Sequence, residues 1–266
     1  MSIPRFYVPD TGGAPLRSAA PGSTITLPEA ASHHARRVLR LRPDDAIVLF
    51  DGQGYECAAL LLADGGTANA SRSAARVQGG AIVDREAAVA ITLVQALSAQ
   101  EKIDWLVEKC VELGVHRLVL APAERSVVRL DALRAQRRLA RWQDIAVAAC
   151  CQCGRNRLPE VALADSLGAA LQLARDAGGP GWVLDPAADL PLAHADADAS
   201  ANAHAGGALP IACAIGPEGG FGAAELERAE ALGYRRVRLG PRVLRTETAG
   251  LAVVTALLAL HGEYAR

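Results

Sequence analysis

The sequence contains very little lysine. Lys102 and Lys109 are its only lysines, although the chain of 266 residues has 28 basic Lys and Arg side chains. A spacing of seven residues places the two on one face of a helix. A chain that avoids lysine everywhere else and keeps these two indicates that they have a role.

Long apolar runs and leader sequences are absent as well. No apolar stretch reaches the length needed to cross a bilayer, and the N-terminal "MSIPRFYVPD" lacks the pattern of a signal peptide. The six cysteines are scattered without the regular spacing of a disulfide framework. The simplest interpretation is a cytoplasmic protein with reduced thiols and no membrane partner, long enough for one large domain or two ordinary ones.

A metal site is not expected either. Cys150 and Cys153 form a C-x-x-C pair, but one pair supplies at most half of a zinc site, and no second pair follows at a useful spacing. Redox motifs of this kind open a helix after a strand, whereas this pair closes a predicted helix. We therefore expect buried or interfacial thiols and no metal.

The net charge of −1 does not indicate a nucleic-acid-binding protein, but the arginines are unevenly distributed. Three stretches are dense in arginine, at residues 33–42, 129–141 and 234–245. Each one alone is most simply a solvated face, yet basic stretches of this kind also bind phosphates. Three in one chain favour an anionic partner.

The chain changes character near residue 78. Residues 3–77 contain short strand-like runs between turn signals, with one helical insert, and predict a small β-barrel domain at 1–77. Residues 78–266 alternate strands and helices, which predicts an α/β domain with a parallel sheet covered on both faces. Within it, the low-complexity segment 191–209 is expected to be a surface loop.

One helix of the second domain is predicted in detail. Residues 99–114 have the pattern of an amphipathic helix that stops at Gly114. Its apolar side is expected to consist of Ile103, Leu106, Val107, Cys110 and Val111.

The stretch "IGPEGGFG", residues 215–222, has four glycines in eight positions, between a buried strand and an acidic helix. A strand, a glycine loop and a helix N-terminus in succession are typical of a ligand pocket at the carboxyl end of a sheet. Gly222 with Glu225 also fits a capping box. The spacing gives neither a dinucleotide fingerprint nor a P-loop, which disfavours an ordinary doubly wound nucleotide-binding enzyme. A tight connecting turn would explain one or two glycines better than four.

A second glycine-containing turn, "LGPRVLRTETAG", occupies residues 239–250. Two such loops close in sequence can line one pocket from both sides. Glu247 lies near the predicted helix start, where negative charge is favoured, and Arg245 lies beside it. These two side chains either serve the pocket or form a mutual capping pair.

The two loops together, "IGPEGGFG" and "LGPRVLRTETA", resemble the ribosomal small subunit methyltransferase E family. The likeness covers nearly the whole chain and includes "RFYV", "EKIDWLVEKCVELGV", "ERSVV" and "QCGRNRLPEV". It implies S-adenosylmethionine-dependent methylation of uridine N3 in the 16S ribosomal RNA of the small subunit. It also implies a SPOUT-type parallel sheet with a deep trefoil knot in 78–266, preceded by a PUA-like barrel in 1–77.

The resemblance also implies functional residues. Arginines would spread the negative charge that develops on the uracil oxygens, and Gln152 would read the uracil edge. The catalytic candidates are Arg125, Gln152, Arg155 and Arg245. The cofactor would lie against Gly216, Pro217, Glu218, Gly219, Gly220, Leu239, Gly240, Leu244 and Thr246. The RNA backbone would be held by Arg5, Arg36, Arg37, Arg40, Arg134 and Arg138.

One position departs from the family pattern. The family usually has an acidic residue where this chain has Cys151, directly before Gln152. The role of that carboxylate is therefore open here, and so is a second hypothesis: a catalytically inactive RNA-binding ribosome assembly factor of the same fold.

The last helical segment, residues 247–262, is apolar nearly all round and, with the resemblance, predicts a homodimer. Small residues would permit close approach of a partner helix, namely Ala249, Gly250, Ala252, Ala256 and Ala259. The alternative is a helix buried within the monomer under residues 156–210.

Overall fold

The computed structural model describes residues 3–10, 15–63, 72–200 and 208–265. It separates into two compact units. The first contains Met1–Glu86 and Cys150–Leu158, and the second contains Ala87–Ala149 and Pro159–Arg266. The chain therefore leaves the first unit and returns to it once.

The first unit is built on one five-stranded sheet. Its strands are β1 (Arg5–Tyr7), β2 (Thr24–Thr26), β3 (Ala46–Phe50), β4 (Tyr55–Leu61) and β5 (Ala74–Ile82). They lie in the order β1-β3-β4-β5-β2, with β1 parallel to β3 and the other pairs antiparallel. Helix α1 (Glu29–His33) continues into a π-helical turn at His34–Val38, so the predicted helical insert is confirmed.

Alternate residues of the strands fill the core of this unit, as expected where one face of a sheet is buried. Ile47 and Leu49 of β3 and Cys57 and Leu61 of β4 point into it. Phe6 of β1 joins the same cluster. The unit extends past the predicted boundary at residue 77 because β5 runs through that position.

The segment 150–158 is paired to the first unit through its backbone. The amide of Gly54 donates to the carbonyl of Asn156 at 3.0 Å, and the amide of Leu158 donates to the carbonyl of Gly52 at 3.0 Å. Gly154, with φ +90°, ends the preceding helix, which confirms that the C-x-x-C pair closes a helix.

The second unit is a parallel sheet with helices on its faces. Its strands are β6 (Val89–Ala96), β7 (Arg117–Ala121), β8 (Glu160–Leu163), β9 (Gly181–Leu184), β10 (Leu209–Ile215) and β11 (Tyr234–Val237). Its helices are α2 (Gln100–Leu113), α3 (Ala132–Cys153, whose last residues belong to the first unit), α4 (Leu167–Arg175), α5 (Leu192–Ser200), α6 (Ala223–Ala231) and α7 (Thr246–Leu260). The strand order is β11-β9-β10-β6-β7-β8, and every pair is parallel. The predicted parallel sheet is confirmed.

Successive residues of β6 face opposite sides of this sheet. Val94 and Ala96 pack with α4 and α6 in one apolar cluster. Leu93 faces α7, where Gly250 comes so close that an added Cβ would lie 3.5 Å from it. Both faces of the strand are therefore covered, which explains why its sequence is mostly apolar.

Helix α2 has the predicted amphipathic pattern. The five residues expected on its apolar side are its buried residues, and Gly114 ends it with φ +95°. Trp142 of α3 is buried, and its indole nitrogen donates to Asp104 of α2 at 3.1 Å. Local periodicity was sufficient here because α2 buries one continuous stripe.

The prediction of a loop at 191–209 was wrong for its first part. Residues 192–200 form α5, in which Leu192, Ala195 and Asp196 are buried. Spacings of three and four place these residues on one helix face, and alanine favours the helix. The buried stripe is narrow and consists mostly of small side chains, so it gives little hydrophobic periodicity. Residues 201–207 lie outside the described residues.

Helix α7 packs within its own unit more than the sequence suggested. Gly250 does not face outward: an added Cβ would lie 2.9 Å from Leu106 of α2. Helix α5 also packs against α7. Because α5 lies within residues 156–210, this agrees in part with the alternative of a helix buried within the monomer. The outward side still carries Ala259 and Leu260, both exposed. No helix in the described ranges is both long and apolar enough to span a bilayer.

Candidate functional site

The glycine loop at 216–222 leaves the carboxyl end of β10 as a tight turn. The amide of Gly220 donates to the carbonyl of Pro217 at 2.9 Å, and Gly220 has φ +70°. At Gly216 an added Cβ would lie 3.0 Å from the amide nitrogen of Phe221. Glycine is required at these two positions by backbone conformation and by close approach.

Glu225 fixes the end of this loop. Its carboxylate accepts from the amide of Gly222 at 2.9 Å, which confirms the predicted cap at the start of α6. It also accepts from the amide of Glu124 at 2.8 Å, in the loop after β7. Arg125 in that loop donates to the carbonyl of Gly219 at 3.0 Å. The glycine loop is therefore tied to the loop after β7 at Gly219 and, through Glu225, at Gly222.

Thr246 ties the two glycine-containing loops together. Its hydroxyl donates to the carbonyl of Gly216 at 2.6 Å and accepts from the side-chain amide of Gln95 at 2.7 Å. Gln95 is completely buried at the end of β6. This chain of hydrogen bonds joins the central strand, the first loop and the start of α7.

Lys102 makes a second connection between the same elements. Its ammonium lies 2.9 Å from the carboxylate of Glu218 and 3.6 Å from that of Glu247. The hydrogen bond to Glu218 raises the pKa of Lys102. Burial alone would raise the pKa of Glu218, but the hydrogen bond and charge of Lys102 outweigh it and lower that pKa. A partly exposed pair contributes only about 0.2–1 kcal/mol, so its importance lies in position.

These elements enclose a cavity of about 670 Å³ in the second unit. Typical small-molecule sites measure roughly 300–1,000 Å³. Its walls combine loop backbone, apolar side chains and several basic groups. The lining residues include Lys102, Arg125, Asp185, Ile215, Leu226, Arg238, Arg242 and both glycine-containing loops.

This cavity lies in the part of the chain that matches a family model. Residues 85–258 match the RNA methyltransferase domain, and residues 27–67 match the RNA methyltransferase PUA domain. The chain is 30% identical to the ribosomal RNA small subunit methyltransferase E of Bacillus subtilis, over 90% of each chain. The chain belongs to the ribosomal RNA small subunit methyltransferase E family.

Two further relatives of this methyltransferase agree. The Mycobacterium bovis protein of the same name is 31% identical, with 95% of this chain and 90% of that protein covered. The crystal structure of a ribosomal RNA small subunit methyltransferase E from Neisseria gonorrhoeae bound to S-adenosyl methionine has a TM-score of 0.78 and 34% identity, and covers 97% of this chain and 98% of that one. The resemblance noticed in the two glycine loops is confirmed.

The methyltransferase cavity collects most of the predicted site residues. All nine residues expected to contact the cofactor line it, and so do Arg125 and Arg245. Arg245 is exposed and precedes the first turn of α7, while Glu247 pairs with Lys102. Glu247 therefore forms an ion pair with Lys102 of α2 instead of a mutual capping pair with Arg245. That these residues bind a ligand stays a prediction.

Gln152 and Arg155 do not line this cavity; both belong to the first unit. Gln152 is exposed, whereas the Arg155 side chain is only 5% exposed and donates to both carboxylate oxygens of Glu86. Removing one partner of a nearly buried pair costs about 3–5 kcal/mol. This arrangement favours a structural role for Arg155, and its catalytic role stays a prediction.

Glu56 is the centre of an ion network beside that segment. It accepts from Arg5 at 2.9 Å, from Arg85 at 2.9 Å and from Asn156 at 2.9 Å. The hydrogen bond from Arg85, followed by those from Arg5 and Asn156, outweighs burial and lowers the pKa of Glu56 to about 2. Arg5 is thus mostly committed to the fold, which disfavours its predicted contact with RNA.

The remaining RNA-binding candidates differ in how far they are available. Arg36 donates to the hydroxyl of Ser73 at 3.1 Å and to the carbonyl of Leu62 at 2.6 Å. Arg37 and Arg40 are exposed, beside the exposed apolar side chains of the π-helical turn. On α3, Arg134 lies 3.4 Å from Asp131 and is exposed, and Arg138 is partly exposed. Exposure supports Arg37, Arg40 and Arg134 most directly.

The cysteines form no described site. Burial raises the pKa of the Cys150 thiol to about 12 and also raises the pKa of the Cys151 thiol. Within the residues that the structure describes, no group of three or more His, Cys, Asp and Glu side chains could hold a metal ion.

Sequence reasoning missed Lys102, which lines the cavity, and Gln95, which is bonded to the lining residue Thr246. Gln95 is a polar residue inside an otherwise apolar strand, and that contrast could have marked it. Lys102 was noticed as one of two lysines but was given no site. Its partners, Glu218 and Glu247, lie more than a hundred residues further along the chain.

Proposed function

We propose that this RNA methyltransferase transfers a methyl group from S-adenosylmethionine to N3 of a uridine in the 16S ribosomal RNA of the small subunit. One observation carries the proposal: the two loops that resemble the family meet at one cavity and supply most of its lining. The solved relative from Neisseria gonorrhoeae, which is bound to S-adenosyl methionine, supports the choice of cofactor.

The cavity residues fit this cofactor. The backbone of the glycine loop can approach a ligand closely at Gly220, because there is no side chain there and the space that a Cβ would occupy is open. Leu239, Leu244 and Phe221 provide apolar surface for an adenosyl group. Backbone amides and carbonyls of the loops are available for its polar atoms. When bound, the sulfonium supplies an activated methyl group without a metal.

The protein's task is then to orient the uracil and stabilise its developing negative charge. Arg125 and Arg245 line the cavity and are exposed, so they are proposed to face O2 or O4 of the base. The cavity carboxylates are already paired, Asp185 with Arg236 and Glu218 with Lys102. No histidine lies among the residues described as lining the cavity, so we propose that the N3 proton leaves to solvent.

The RNA partner is supported by the match to an RNA methyltransferase PUA domain and by exposed arginines outside the cavity. Arg37 and Arg40 in the first unit and Arg134 and Arg138 on α3 are proposed to contact phosphates. Gln152 and Arg155 remain catalytic candidates that the geometry of the cavity does not support directly.

The homodimer, the deep trefoil knot and the cytoplasmic location belong to the same proposal. The exposed Leu260 and Ala259 on α7 support a contact with a second copy. Light scattering at micromolar concentration tests the dimer directly, and a monomer would refute it.

Mapping of methylated uridines by mass spectrometry tests the function. A strain that lacks this protein should lose one N3-methyluridine from 16S ribosomal RNA, and purified protein with S-adenosylmethionine should restore it on isolated small subunits. An unchanged set of modified uridines would contradict the proposal. A protein that binds the RNA but not S-adenosylmethionine would instead be the inactive assembly factor.

A further inference from the structure

Lys102 occupies an electrostatically unusual position. It lies in the first turn of α2, where the helix dipole disfavours a positive charge. Helix stability therefore does not explain a lysine there, least of all in a chain with only two lysines. Its ammonium is directed away from its own helix, to Glu218 at 2.9 Å and Glu247 at 3.6 Å.

The two carboxylates belong to two elements that both supply lining residues to the cavity: Glu218 lines it, and Glu247 directly follows the lining residue Thr246. Glu218 is in the glycine loop after β10, and Glu247 is in the first turn of α7, just after the second loop. Only 13% of the Glu247 side chain is exposed, and its Oε2 atom is buried without a hydrogen bond. Without an ammonium between them, two negative groups would face each other in a partly desolvated place, where their repulsion is strong.

Lys109 is a lysine on the same helix that does not line the cavity, so it serves as a comparison for Lys102. It also contacts two carboxylates, those of Glu108 and Glu112, each at 2.7 Å. Both belong to α2, so these contacts connect nothing beyond the helix. The two lysines thus have equal numbers of acidic partners but different reach.

We infer that Lys102 is a positioning residue that joins the glycine loop to the start of α7 by binding Glu218 and Glu247 together. It acts in addition to the hydrogen-bonded chain through Thr246. The inference rests on the proposed function only for the identity of the ligand, S-adenosylmethionine. The joining of these two elements is a property of the protein without ligand.

The first experiment measures hydrogen exchange in the ligand-free protein. Lys102→Met should raise exchange about threefold in residues 216–222 and in the first turn of α7, because the ion pairs hold these segments together. Lys102→Arg should restore the wild-type rates, and Lys109→Met should leave them unchanged. Unchanged exchange in Lys102→Met, or an equal change in Lys109→Met, would overturn the inference.

The second experiment measures S-adenosylmethionine affinity by calorimetry in a double-mutant cycle. Lys102→Met should weaken binding about fivefold in the wild-type background and less than twofold in the Glu218→Gln background, because the lysine acts through that carboxylate. Equal losses in the two backgrounds would show a direct contact with the ligand and overturn the positioning role. Wild-type protein that binds no S-adenosylmethionine would refute the proposed function, while the exchange experiment would still decide the role of Lys102.

Discussion

The two loops of the cavity are similar in sequence character but differ in how they are held. Residues 216–222 are bound by Arg125, Glu225, Thr246 and Lys102, and close a turn of their own. In the described part of the chain, residues 239–244 have no hydrogen bond or ion pair. Val243 among them is 80% exposed.

This difference indicates that the two loops have different roles in binding. The loop at residues 216–222 is already held by several contacts, so it loses little further conformational entropy when a ligand binds. It therefore suits the part of the site that holds the cofactor. An exposed loop that carries Arg242 and Arg245 can adjust to a large partner. In the proposed reaction the first loop would face the cofactor. The second would contribute Leu239 and Leu244 to the cofactor site and present its arginines to the RNA.

The largest effect is expected at the second loop, which carries Arg245. Arg245→Ala should reduce methyl transfer about 100-fold, because one charge that stabilises the transition state is lost. Affinity for S-adenosylmethionine should change less than threefold. Single-turnover transfer and calorimetry measure the two quantities. Arg235→Ala is the matched control, because Arg235 is an exposed arginine of β11 outside the cavity. A loss of affinity as large as the loss of transfer would mean that Arg245 itself holds the cofactor.

The loop at residues 216–222 should show the opposite pattern, a loss of cofactor affinity. Gly220→Ala should weaken S-adenosylmethionine binding at least tenfold, because the added methyl group occupies space that the ligand needs. Gly178→Ala is the matched control: both glycines have positive φ, +70° and +80°, and in both an added Cβ meets nothing within 4 Å. Each change should cost about 1 kcal/mol of stability. Equal affinities in the two variants would exclude close approach of the ligand at Gly220.

The unliganded protein should reveal the contrast directly. Amide exchange in residues 239–244 should be about fivefold faster than in residues 216–222, after correction for intrinsic rates. The reason is that residues 216–222 are hydrogen-bonded to their surroundings and residues 239–244, within the described chain, are not. Thr246→Val should bring the two loops closer together in rate by loosening the first. Equal rates in the wild-type protein would remove the distinction between the loops.

The smallest effect is expected from acid. The pKa of Glu218 is lowered from its ordinary 4.5, so its charged form stabilises the folded loop above pH 4.5, and that contribution is lost as the pH falls through the lower, folded value. Protection of residues 216–222 should therefore fall about threefold between pH 5 and pH 3, with residues 239–244 unaffected. Glu218→Gln should abolish this dependence. A pH dependence that persists in that variant would assign it to another group.

Features determined by neighbouring residues were predictable from the sequence. The cap formed by Gly222 and Glu225 spans three positions, and the buried side of α2 repeats every three or four residues. The glycine loop could be assigned to a pocket because it follows a buried strand and precedes a helix. In each case the local chain carries the whole signal.

Features that depend on distant pairing were not predictable. Nothing near Arg155 indicates that Glu86, 69 residues earlier, will bind its guanidinium. The ion pair between Lys102 and Glu218 spans 116 residues. Helix α5 was missed for another reason, since its buried side consists of one leucine, one alanine and one aspartate and gives almost no hydrophobic contrast.

The return of residues 150–158 to the first unit has a consequence for synthesis of the chain. Asn156, which binds Glu56, follows it by 100 residues. At about 5–20 residues per second, a ribosome needs roughly 5–20 s to add that interval. During that time Glu56 lacks one of its partners while much of the second unit is already emerging. The first unit therefore cannot be completed during synthesis until residues 87–149 of the second unit have already been added.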